Sequence, residues 1–512
     1  RNRFETMVDP DANYPLYADT SEQRFETPSQ RKLYVKLERK QFNALFGDFD
    51  TGLSVTDLSR YERRFNGFKS EYRGDTVGYT VFAAESSQAF QRDELRGDGT
   101  SGLYQLSNAP IIANSELVRI EVRDRFDSGI VLSDTKLSRF LDYNLDTLKG
   151  TIFFKKPVPS RDLDFNPVYI VVEYESASTG AEDLVAGGRL SVSSPGDALE
   201  IGVTHINDDT GGAEADLTGV DLRWQVNEQT LVTAEYAQSD ATIAGVEQDG
   251  IAHAIELEHN GENIDVRAYM REVGNDFGLG YQSAADKGFR RLAVEARGRV
   301  SERLTVEGEA GWQQNLVTED IRNLARAQLR YDRSSFSASL GLTHAEDRFE
   351  SGVSRSSDLG DITVAQKLFA GKLTLRGSSS TSFSATSDNS DFPSRYVLGA
   401  DYKVMSGVDL VAEYEQASGS GIDTTTSRLG VRATPWNRGQ VNTFLTNEVT
   451  EFGPRLFANV GLIQGFQLND RWILDIGVDQ SNTLVEEDTQ IFDADRDLVS
   501  GSLNEDFLAV YT

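Results

Sequence analysis

The chain is predicted to be all-β: a large antiparallel transmembrane β-barrel of about 22–24 strands with an inserted immunoglobulin-like β-sandwich. Three observations carry that expectation. From about Arg189 to Ser481 the turns alternate in size. Tight ones (SPGD at 194–197, NGEN at 260–263, SER at 301–303, AGK at 370–372, NRG at 437–439) alternate with long polar ones such as NDDTGGAEAD, GNDFGLGYQSAADKG and QASGSGIDTTT. Between the turns, apolar and polar residues alternate over roughly ten residues, the length a tilted strand needs to cross a bilayer. Residues 87–183 break this rhythm and read as a unit of their own.

Composition sets the bounds. The chain has 512 residues, 38% of them hydrophobic, and no run approaches the ~20 apolar residues of a membrane helix. Neither fact opposes a barrel, in which only alternate residues meet lipid. The absence of cysteine excludes a disulfide framework, a thiolate metal site and a cysteine nucleophile, and fits passage through an oxidising periplasm. A net charge of −30 argues against nucleic acid as a partner and favours cations in any lumen. Arg1 is not a start residue and no signal peptide is visible, so a mature or trimmed form is expected; DFLAVYT at the other end reads as a strand cut short, with more chain to follow.

Residues 1–30, with Pro10, Pro15, Pro28 and little periodicity, read as an extended arm. Four strands are expected in 31–86, at 31–39, 41–49, 57–72 and 76–86, joined by a tight turn near Lys40, a looser FDTGLSVT and a tight RGD at 73–75. In 87–183, RDELRGDGTSGLYQLS is turn-rich, ELVRIEVRDRF is a strong strand, and Ile152–Phe154 and Val168–Val172 are apolar runs suited to burial inside a sandwich. Pro157, Pro159 and Pro167 confine their segments to strand ends or edges. By the turn count this insert sits on the long-loop side or folds back into the lumen.

The barrel resumes over 184–512. Leu304, Val306, Gly308, Ala310 and Trp312 share one face, opposite Thr305, Glu307 and Glu309; Val408, Leu410, Ala412 and Tyr414 oppose Asp409, Glu413 and Glu415. A soluble sheet with one wet face gives the same alternation. Strand length, the number of hairpins and the lack of a second class of wholly apolar strand favour the membrane.

No nucleotide loop, GxSxG elbow or zinc-type histidine pair is present, and no enzyme is expected. His205, His253, His259 and His344 are scattered and read as polar lumen or rim positions. Asp493, Asp495 and Asp497 have the spacing that opens a calcium loop. Leu498 and Asn504 stand where that loop needs glycine and glutamate, so a solvated acidic loop is the stronger reading, calcium the lesser, and no other cofactor is expected. Arg60, Arg63 and Arg64 sit among aromatics just before the insert. They either pair with acids of the insert and hold it as a gate, or are neutralised by acids of neighbouring strands. Glu307, Glu309, Arg326, Arg330, Asp401, Glu413, Glu415 and Asp475 are the further lumen candidates.

An early hairpin with Gly47 and Asp48, a following strand with Arg64 and Gly67, and a sandwich inserted among the early strands give the chain a layout that resembles the fimbrial ushers, large plugged export barrels. The resemblance implies a pore of about 24 strands whose sandwich is a plug, passing unfolded or assembling subunits to the cell surface. The motifs RGDGTSGLYQLS, NSELVRIEVRDR and NPVYIVVEYE look more like those of large bacterial surface proteins, and residues 1–30 match no chaperone-binding region. The expected role is a gated conduit in the bacterial outer membrane that exports a macromolecule, with the lipid bilayer and an exported protein as partners. The rivals are a surface anchor or adhesin whose sandwich binds a surface-layer component, and a passive cation-preferring porin.

Overall fold

The two-residue period becomes one continuous antiparallel ladder in the computed structural model. It describes residues 34–486 and 506–511, except 100, 127, 140–141, 156–157, 163–164, 178–182, 211–212, 244–245, 384–391, 420–421, 451–452 and 470–472. Val35–Arg39, Phe42–Asp50, Arg64–Arg73 and Val77–Ser86 pair in succession. The next rung is Asp183–Ser193, after which each strand pairs with its successor through to Asp506–Tyr511, making 23 strands. Among the described residues the two end strands do not pair with each other.

One face of the ladder is oily and exposed. Val306, Leu329, Leu340 and Ile362 stand side by side on successive strands, each 43–54% exposed. Val220 beside Tyr236 and Leu398 beside Tyr414 continue the band. The opposite face carries charges and faces the insert. A one-residue slip in any strand would exchange the two faces, so the pattern holds the register of the whole ladder.

Between Ser86 and Asp183, which are themselves paired across adjacent wall strands, residues Gln88–Ala177 form a two-layer sandwich. Its four-stranded sheet runs Gln88–Arg96, Val168–Ala177, Leu117–Arg123, Val131–Lys136; its three-stranded sheet runs Tyr104–Gln105, Thr151–Phe154, Tyr143–Asp146. Val118, Ile152, Phe154, Ile170 and Val172 fill the space between the layers. Taken in chain order, the four-stranded sheet is first–seventh–third–fourth. An immunoglobulin domain has first–second–fifth–fourth, so the insert shares two-sheet packing with that fold but not its strand order. Gln88–Arg96 is a strand where the residues read as turns: its outer face (Phe90, Arg92, Glu94) is charged and its inner face includes Asp93, so apolar alternation never appears.

The strand expected over 57–72 begins only at Arg64. Residues 51–63 instead fold inward against the wall, pinned by a Leu53–Tyr61 bridge and a Thr51 N–Arg63 O bond of 2.9 Å. Leu58 and Tyr61 are fully buried there. The loop 274–288 also folds inward, burying Phe277 and Tyr281 in the same apolar cluster. Ser59 and Phe277 occupy the space that a side chain on Gly219 and Gly250 would fill, so both inward segments are seated on glycines of the wall.

The arm at 1–30 and Asp493, Asp495 and Asp497 lie outside the described residues. The oily face generates a direct test. Leu340→Arg is expected to destabilise the protein in lipid vesicles by about 2–4 kcal/mol, the cost of arginine near a bilayer midplane. Ser339→Arg, on the adjacent inward position, is expected to cost little. Equal costs in urea titrations would place water, not lipid, outside the wall.

Candidate functional site

The site is the contact between insert and wall, and Arg63 is its most densely bonded point. Arg63 is 4% exposed and uses every N–H of its guanidinium. Nε and Nη2 donate to Glu175 of the insert at 2.8 and 2.7 Å, Nη1 to Asp208 at 2.7 Å and Thr210 at 2.8 Å, and Nη2 also to the Gln88 carbonyl at 2.9 Å. One residue thereby joins both stems of the insert to the wall strand Leu199–Asp208. The Tyr61 hydroxyl donates to Asp208 at 2.7 Å, and its ring stacks on Phe82 with centroids 5.7 Å apart. Burial raises the Glu175 carboxyl above the ordinary carboxylate range, by more than Arg63 beside it pulls it down.

The two inward segments complete this side. Glu235 of the wall accepts from the backbone N–H groups of Asp57 (3.0 Å) and Leu58 (2.8 Å), fixing the first segment. Tyr281 of the second stacks on Phe90 of the insert, 4.0 Å between centroids, and Ser283 donates to Glu94 at 3.2 Å. The insert face they meet is a lattice of alternating charges rather than an oily surface. Arg92 and Arg123 both hold Glu94 (2.8 and 2.9 Å), Arg123 holds Glu121 (2.8 Å), and Arg119 holds Glu173 (2.8 Å).

Further arginines reach the insert from elsewhere round the wall. Arg326 lies over the Phe126 ring at 4.5 Å and 3.6 Å from Asp124, and Arg322 donates to the Phe126 carbonyl at 3.3 Å. Phe126 packs on Phe392, 5.0 Å between centroids, with Leu324, Ala345 and Leu359. Arg395, held by Glu415 at 2.6 Å, lies over Phe165, which packs on Ala417. Arg455 donates to the Gly99 carbonyl, pairs with Glu448 at 3.3 Å and covers Phe457 at 4.0 Å. One insert touching strands this far apart in the ladder requires the sheet to curl round it. Arg63, Arg322, Arg395 and Arg455 all lie at, or within three residues of, the start of a strand that enters the ladder from the same end. They form a collar at one rim of the bore.

Of the three early arginines, only Arg63 meets the insert. Arg60 pairs with Glu62 at 2.5 Å, and Arg64 is exposed and pairs with Asp50 at 3.1 Å. Among the other sequence candidates, Arg326 touches the insert and is also held by Glu309 at 3.3 Å. Glu415 acts on the insert through Arg395. Glu307 pairs with Arg297 at 2.8 Å, Arg330 with Asp332 at 2.8 Å, Asp401 with Arg376 (3.1 Å) and Arg432 (3.0 Å), and Glu413 with Arg428 at 3.6 Å. Glu307, Asp401 and Glu413 are thus neutralised from other wall strands and Arg330 within its own strand. Asp475 falls opposite Gly465 on the strand Ile473–Glu486, with its side chain outside the described set. Arg322, Arg395 and Arg455 were not singled out in the sequence, although each stands near the start of a strand beside aromatic or aliphatic residues. His205, His253 and His344 lie on the outward face, near Asp216 (3.9 Å), Glu272 (3.8 Å) and Asp358 (2.7 Å). Among the described residues no group of three or more metal-ligating side chains forms.

No family model and no curated protein matches the sequence. Among solved structures, the chain is similar to the P pilus usher (PapC) translocation pore, at 12% identity and a TM-score of 0.43 over 85% of this chain and 86% of that one. It is also similar to a chain of the E. coli P pilus tip assembly intermediate PapC-PapD-PapK-PapG (13%, TM-score 0.43, 89% of this chain), of which it spans 53%. The Pseudomonas aeruginosa siderophore receptor PirA is more distant, at 13% identity and a TM-score of 0.35 over 58% of this chain and 67% of that one.

Arg63→Ala leaves Glu175 and Asp208 buried without their counter-charge. The expected cost is about 3–5 kcal/mol, read as earlier proteolysis of the 86–88 and 177–183 links and a lower unfolding midpoint. Arg60→Ala, one turn of chain away, is expected to change neither.

Proposed function

We propose that the protein is a channel of the bacterial outer membrane whose bore is closed by the inserted sandwich, and that displacing the insert opens it to an exported macromolecule. The observation that carries this reading is the character of the docking contact: the insert sits within the curl of the wall and is held at separate points, by arginine ion pairs, arginine bonds to its backbone carbonyls and isolated aromatic contacts, not by a continuous apolar core. A permanent structural core would bury apolar area instead, as the interior of the insert itself does. Interfaces within a chain that are polar and modest in apolar burial behave like transient ones.

The chemistry of release follows from hydration. Separating Arg326 from Asp124 into water restores the hydration lost on docking, so opening is opposed mainly by the buried Arg63 network and the few apolar contacts at Phe126, Phe165 and Phe90. A ligand or partner chain that supplies competing charge to the collar lowers the barrier further. The oily outer face supports membrane residence, and the charged bore supports a hydrated path. Docking inside the wall disfavours the anchor reading, which needs the sandwich outside and available.

In planar bilayers, deleting residues 88–177 behind a short linker is expected to raise single-channel conductance several-fold. Combining Phe126→Ala with Arg326→Ala is expected to raise the open probability of the full chain roughly tenfold, as loss of one aromatic contact and one ion pair allows. Unchanged conductance in both would overturn the gate.

A further inference from the structure

The insert does not fill the bore evenly. Apart from single contacts at Ala417 and Arg455, its contacts lie on the wall from the first strands to about Ser394–Met405, while a cavity of about 720 Å³ lies between the insert residues 98–99, 159–162 and 165 and the late wall strands. On the strand Gly439–Thr450, every second residue from Gln440 through Asn442, Phe444 and Thr446 to Glu448 lines it. Those positions run from near one end of the strand to near the other, about 26 Å along it at 3.3 Å per residue. A gap that accompanies a wall strand along nearly its whole length spans the oily band.

We infer that this gap is a hydrated side passage that lets small uncharged hydrophilic solutes, of sugar size and below, cross while the insert stays docked. Amides, hydroxyls, aromatic rings and nearly equal numbers of acidic and basic side chains (five and four) line it, and its volume lies within the range that holds one small ligand at a time. The neighbouring charges are largely matched: Glu415 with Arg395 at 2.6 Å, Arg432 with Asp401 at 3.0 Å, Glu413 with Arg428 at 3.6 Å. Matched charges leave little field to select ions or to exclude neutral solutes. The inference rests on the channel reading above but is separate from gating: it describes what passes with the gate shut.

The test is liposome swelling with glucose and with a large dextran. It compares the full chain, the full chain carrying Asn442→Trp and Thr446→Trp, and the 88–177 deletion with and without the same pair. The full chain is expected to admit glucose and exclude dextran. The two tryptophans are expected to cut glucose flux at least about threefold, because pore width sets permeation, yet to leave the wide deletion channel almost unaffected. Thr426→Trp replaces either substitution if the variant loses its unboiled gel mobility. Glucose flux that the tryptophans leave unchanged would mean that solutes pass by movement of the insert, and would overturn the side passage. A deletion channel that admits glucose while the full chain does not overturns the side passage alone. A deletion channel that admits nothing overturns the channel reading with it.

Discussion

A charge taken out of water must be met by a counter-charge in good geometry, and Arg63 is the place where the whole arrangement depends on that rule. Removing a guanidinium and two carboxylates from solvent costs several kcal/mol per ion before any attraction is gained. The structure meets that cost by filling all five guanidinium donors and by giving Asp208 a second donor in Tyr61. Because Arg63 bonds the stem strands of the insert and the wall together, the position of the sandwich follows from the placement of this one side chain. The insert is an internally oily body with a charged outer sheet, lodged in a wall whose inner face is charged too. Such a pair fits tightly without becoming one hydrophobic core.

The wall was legible in the sequence because a ladder with one oily face writes its register into every strand. Leu304 through Trp312 and Val408 through Tyr414 lie on the faces their spacing implies, but the alternation of turn sizes holds only in part. Residues 274–288 are a long loop, whereas the polar stretches at 239–250 and 416–426 are largely strand, because a polar strand end beyond the oily band reads like a loop. The sandwich was legible from the apolar runs at 152–154 and 168–172, which have no counterpart in the wall. Its first strand was not, since its charged outer face and buried Asp93 erase the alternation.

Less could be read of the site. Arg60, Arg63 and Arg64 are equivalent as letters, and what separates them is the point at which the strand starts: Arg64 enters the ladder while Arg63 is still turned inward. The inward fold of 51–63 and 274–288 had a fainter signal. The inward positions of strands 213–260 are unusually small, with Gly219, Ala237, Ser239, Gly250 and Ala252 where other strands carry Arg or Glu. A wall facing open water has no reason to shed its long polar side chains there; a wall covered by another segment does. Likewise the collar arginines are visible only once the starts of their strands are placed at a common rim.

The direct pairing of Ser86 with Asp183 has a consequence for how such a molecule arises and varies. The ladder steps from one stem to the other as though the ninety-odd residues between them were an ordinary hairpin loop, whose added length raises closure entropy only slowly. Assembly of the wall is therefore indifferent to what the excursion contains. Recombination at that junction can exchange one cassette for another while the register of the shell that houses it is inherited unchanged.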